Sequence, residues 1–117
     1  MAEQTASTVT WNFSEMSGYA ILDMGYTNNG VTLQGMGDLN FNNGSLMAMD
    51  NLTFTAPTGK HFKSIVINAT MMANISGTGW TNGNHNLTST WTGDAESVTI
   101  DADSMADGVT SIVFTLE

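Results

Sequence analysis

The residues best equipped for chemistry in this chain are carboxylates gathered near its end. Asp101, Asp103 and Asp107, with Asp94 and Glu96 not far before them, offer the oxygen donors of which a hard cation such as Ca2+ takes about six to eight. The calcium-loop template does not fit, because with Asp101 in its first position Met105 falls on the fifth and Ala106 on the one reserved for glycine. Donor chemistry alone therefore makes Asp101, Asp103 and Asp107 candidate metal ligands. The competing possibility is a solvated acidic loop.

A second constellation surrounds Trp80. The stretch Gly77-Thr78-Gly79-Trp80-Thr81-Asn82-Gly83-Asn84-His85 sets a large ring among polar residues and glycines, with no obvious apolar partner. An exposed indole can stack on a sugar face, and Asn82, Asn84 and His85 carry the hydrogen-bonding groups such a ligand needs. The plain alternative is that Trp80 folds back onto the core. Trp11 and Trp91 lie in phase with alternating apolar residues and are expected inside.

Catalysis finds less support. Glu15 with Asp23, or Asp38 with Asp50, could be nominated as an acid–base pair, but any acidic domain offers such pairs. His61 and His85 are the only histidines, and neither adjoins a Gly-x-Ser-x-Gly nucleophile signature. The chain is expected not to be an enzyme. Six Asn-x-Ser/Thr sequons arise without selection in a chain holding twelve Asn, ten Ser and seventeen Thr.

Composition narrows the partners. Eleven acidic residues face only Lys60 and Lys63, a net charge of -9, so a phosphate backbone or an anionic lipid surface is repelled and nucleic acid is excluded as an expected partner. No apolar run approaches the length of a membrane helix, so no membrane insertion is expected. With no cysteine, disulfides and thiolate metal sites are ruled out. The 117 residues suffice for one core, since a chain of this size hides roughly two thirds of its unfolded surface.

The elements that must position these residues read as strands. Val9, Trp11 and Phe13 alternate with polar residues, and the pattern returns at Val31 and Leu33, at Leu52, Phe54 and Ala56, at Val98 and Ile100, and at Ile112, Phe114 and Leu116. Threonine at the intervening positions suits a solvent-facing pleated surface. Asn29-Gly30 and Asn43-Gly44 predict tight hairpin turns, and Pro57-Thr58-Gly59 predicts another break. The segment from Phe62 to Ile75 predicts one long central strand with a bulge near Met71-Met72. Gly18 to Asn28 allows either a strand or an irregular crossing.

The pattern is that of an all-β, antiparallel β-sandwich of eight or nine strands, from a first strand at Val9 to Phe13 to a last at Val109 to Leu116. Residues 8–117 form a single domain; residues 1–7 read as a disordered or appended N-terminus. Thr10-Trp11-Asn12-Phe13-Ser14, Phe54-Thr55-Ala56-Pro57 through Ser64-Ile65-Val66-Ile67, and Trp91-Thr92-Gly93 with Thr110-Ser111-Ile112-Val113-Phe114 resemble small jelly-roll modules of bacterial cell-surface and secreted proteins, which are similar in architecture to carbohydrate-binding modules. The start Met1-Ala2-Glu3-Gln4 has neither region of a secretion signal, so the extracellular or cell-surface location rests on that resemblance. The resemblance implies a non-catalytic adhesion or glycan-binding module, monomeric as a single domain, whose partner is a glycan or another surface protein. The alternative is a structural spacer or protein-interaction domain with no small ligand.

Overall fold

Period-two alternation builds ten strands among the described residues, which are residues 7–117 of a computed structural model. In chain order they are β1 (Ser7–Asn12), β2 (Tyr19–Ile21), β3 (Tyr26–Asn28), β4 (Val31–Asn40), β5 (Ser45–Thr55), β6 (Phe62–Asn74), β7 (Trp80–Gly83), β8 (Thr88–Ala95), β9 (Ser97–Ile100) and β10 (Met105–Leu116). Single 3-10 turns at Phe13–Glu15 and Leu22–Met24 are the only helical pieces described. None of them is long and apolar enough to cross a membrane. The expected N-terminal extension falls largely on residues 1–6, outside the described residues; Ser7 opens β1 and pairs with Leu116.

Every pairing is antiparallel, in the order β2-β4-β5-β10-β6-β8-β7, with β1 added to β10, β3 to β4 and β9 to β5. This continuous sheet doubles over at β10. Met105 and Ala106 bridge Met47 and Leu46 of β5 on one side and Asn74 and Ala73 of β6 on the other, and the rest of β10 runs between β6 and β1. The doubling lays the two halves face to face. Phe54 of β5 and Phe114 of β10, which are not paired strand residues, meet with ring centroids 5.5 Å apart. Trp11 stands between the halves, 4.9 Å from Phe114 and 5.1 Å from Tyr26 in edge-on contacts, its indole N–H donating to the carbonyl of Asn28 at 3.1 Å. The sandwich thus has the aromatic core that the alternation of Trp11, Phe54 and Phe114 predicts.

Local chemistry explains where strand and turn lie. Asn29 and Gly30 both take positive φ, 50° and 86°, and close a two-residue hairpin between the paired residues Asn28 and Val31. The Asn43-Gly44 turn is longer than expected. Asn40 pairs with Ser45 across four loop residues, and the Asn40 carbonyl oxygen Oδ1 accepts from the backbone N–H of Asn42 and Asn43, winding the loop from its first corner. Gly18 to Asn28 resolves into β2, a 3-10 turn and β3, which raises the strand count to ten. The long strand from Phe62 carries one of its three register shifts against β10 where Met72 and Ala69 face Asp107 and Val109, beside the predicted Met71-Met72 bulge.

Candidate functional site

Two of the four residues expected around a sugar, Trp80 and Asn82, are used by the fold. Trp80 is only 9% exposed, its ring 6.5 Å from Phe54 and its indole N–H donating to the carbonyl of Thr99 at 3.2 Å. The neighbouring glycines serve packing. A Cβ on Gly79 would lie 2.7 Å from Nε1 of Trp91, and one on Gly77 would lie 3.0 Å from the Thr99 carbonyl, so both rings need bare backbone beside them. No open indole face is left for stacking.

Asn82 is likewise engaged. Its amide donates to the carbonyl of Ile75 at 3.2 Å and accepts from the N–H of Ile75 at 3.4 Å, acting as a strand partner for the end of β6, while the single O–H of buried Ser89 has both its Oδ1 and the carbonyl of Ala73 within reach as acceptors. Asn84 and His85 remain exposed on the β7–β8 turn. With Asn86 they form three successive left-handed residues, at φ of 53°, 58° and 61°, a conformation that costs an L-residue roughly 1–2 kcal/mol. The turn is held because the carbonyls of Asn86 and Leu87 accept from the N–H groups of Ala73 and Ala69.

The acidic candidates are not gathered. Asp101 and Asp103 sit in the turn before β10, where the N–H of Asp101 donates to Ser76 and that of Asp103 to Ala48, whereas Asp107 lies within β10 opposite Met72 and its Oδ1 accepts from the N–H of Gly108. No group of three or more His, Cys, Asp or Glu side chains able to hold a metal forms among the described residues. The strand direction of β10 separates what proximity in sequence suggested.

A different surface emerges from β2, β4 and β5. Reading across the sheet in register, Ile21 faces Asp38, Asp38 faces Met47, and Met47 faces Met105, a row of four neighbouring strands spanning about 14 Å. The next row, Ala20, Leu39, Leu46 and Ala106, points the other way into the core. Ile21 is 55% exposed, Met36 53%, Met47 42% and Met49 67%, all on or beside the outward row. Tyr19, two residues before Ile21, shares that face at 58% exposure.

The backbone is shaped to present these side chains. Between the pairs Gly35/Leu52 and Gly37/Ala48, one residue of β4, Met36, stands against three of β5, Met49 to Asn51. This bulge requires glycine on both sides: a Cβ on Gly35 would lie 2.5 Å from the carbonyl of Asn51, and one on Gly37 would strike the carbonyl of Met47. Asn51 then anchors the bulge, its Oδ1 accepting from the N–H of Ala102 at 3.0 Å. Met47, Ala48, Met49 and Met105 line an open groove of about 480 Å3 with Asp103 and Ser104.

Charge is distributed unevenly over the molecule. Asp38 Oδ2 accepts from the Tyr19 hydroxyl at 3.0 Å, and that hydrogen bond, then the carboxylate's charge, pushes the Tyr19 pKa above its ordinary value. Lys63 and His61 gather around another carboxylate. His61 Nδ1 lies 2.9 Å and Lys63 Nζ 3.6 Å from Asp94, and the hydrogen bond with His61, followed by the charge of Lys63, lowers the Asp94 pKa. The cavity they line with Glu117, about 160 Å3, is smaller than the roughly 300 Å3 at which ligand pockets begin.

Compared with known proteins, the chain matches no family model, no curated protein and no solved structure. The methionine face was open to detection in the sequence. Leu46-Met47-Ala48-Met49 is apolar on both parities of a strand, so one pair must face outward.

Proposed function

We propose that this chain is a non-catalytic binding module that docks a protein partner on the outer face of β2, β4 and β5. The observation that carries this is the exposure of Ile21, Met36, Met47 and Met49 side by side on one sheet face, because soluble domains rarely leave contiguous apolar side chains in water without a use for them. Methionine suits such a surface, being unbranched, polarizable and able to fit several partner shapes. Adhesion to another surface protein is the setting in which a module of this kind works, with tandem copies raising a modest affinity. A protein partner is favoured over a sugar held by Trp80, whose ring and N–H are committed to Phe54 and Thr99.

The test is selection of a random peptide library against the immobilised chain. Peptides that bind the native protein and lose affinity for Met47→Ser/Met49→Ser are expected. Selected peptides indifferent to that double substitution, or glycan-array binding abolished by Trp80→Ala at unchanged fold, would contradict it.

A further inference from the structure

The outer face is acidic as well as apolar. Asp38 stands in register between Ile21 and Met47, Asp103 lines the groove with Met47, Met49 and Met105, and Asp50 follows Met49 in the bulge, where its Oδ1 accepts from the N–H of Asn51. Among the described residues, the only close contacts between basic and acidic side chains are those of His61 with Asp94 and Glu96 and of Lys63 with Asp94. Lys63 is eleven residues along β6 from Asn74, the residue that pairs with Met105, a separation of about 36 Å at the rise of a strand. Among the described residues, the carboxylates on the methionine face thus form no ion pair with a cation of this chain.

We infer, resting on the docking face proposed above, that its occupant is a cationic peptide segment in which Lys or Arg side chains alternate with apolar anchors. Apolar anchors gain by covering the methionines, and cations beside them meet Asp38, Asp50 and Asp103 without displacing an existing ion pair. A second copy of this chain is the poorer occupant. It would bring its own carboxylates against these, between molecules that each carry a charge of -9. A purely polar cation would leave the methionines wet, and a purely apolar segment would bury carboxylates without a counter-charge.

The experiment titrates the full chain, labelled at its methionine methyl groups, with three synthetic peptides: alternating Lys and Leu, alternating Glu and Leu, and alternating Lys and Ser. The expected result is movement of the Met36, Met47 and Met49 methyl resonances with the Lys–Leu peptide alone, weakening as salt is raised. Asp38→Asn and Asp103→Asn are each expected to weaken that binding about two- to fivefold, the range for exposed charge pairs. Equal binding of the Glu–Leu peptide at the same methyl groups would keep the docking face and overturn the cationic partner. Equal binding of the Lys–Ser peptide would reduce the attraction to net charge and overturn the inference. Lys–Leu binding that leaves those methyl groups unmoved, or is unchanged in Met47→Ser/Met49→Ser, would overturn the docking face itself.

Discussion

Trp80 and Thr99 are joined by a 3.2 Å hydrogen bond from the indole N–H to the backbone carbonyl, linking β7 to β9 from inside the sandwich. Trp80 is therefore a core residue by contact and by hydrogen bond. Trp80→Ala is expected to lower stability by about 3–5 kcal/mol, the usual loss for a large buried aromatic. Urea unfolding measures this, and a loss below about 1 kcal/mol would mean that the ring is not packed as described.

Asn82 replaces a missing strand partner for Ile75, accepting from its N–H and donating to its carbonyl. Removing the amide leaves those two backbone groups short of partners, while buried Ser89 keeps the Ala73 carbonyl as acceptor. Asn82→Ala should then cost about 1–3 kcal/mol, and hydrogen exchange at Ile75 should quicken. An unchanged unfolding midpoint would refute the structural role.

The left-handed turn at Asn84, His85 and Asn86 is strained for residues that carry a Cβ. His85→Gly is expected to leave stability unchanged or raise it by up to about 1 kcal/mol, and His85→Val to lower it by a similar amount. Both substitutions behaving alike in thermal melts would contradict the positive φ at this position.

A pH dependence follows from Asp94, whose pKa is lowered by His61 and then by Lys63. A carboxylate with a depressed folded pKa contributes stability that is fully present above its unfolded value, about 3.8, and lost as pH falls through the lower folded value. His61→Gln should move the Asp94 titration toward its ordinary range and reduce this acid-side contribution, leaving the part due to Lys63. Carboxyl NMR titration reads the change, and an unmoved Asp94 would contradict the assigned cause.

Much of the fold was legible because burial on one side of a strand imposes period two. Trp11, Leu33, Phe54 and Phe114 announce their faces, and Asn29-Gly30 announces its hairpin, since few other residue pairs accept two positive φ angles. The site was less legible, for reasons visible at particular residues. Gly77 and Gly79 resemble a flexible loop around an exposed ring, yet they are small because Trp80 and Trp91 pack against them. Asp101, Asp103 and Asp107 are close along the chain, but the start of β10 divides them between turn and strand. Met36 faces outward through a bulge whose close backbone approach only the paired strands reveal.

The most direct test of the methionine face is mild peroxide footprinting read by mass spectrometry, with and without a peptide selected against the native chain, because exposed thioethers oxidise first. The docking account predicts that bound peptide slows oxidation of Met36, Met47 and Met49 while Met24 and Met71, also exposed, keep their rates. Protection spread evenly over all five, or absent from Met47 and Met49, would contradict it.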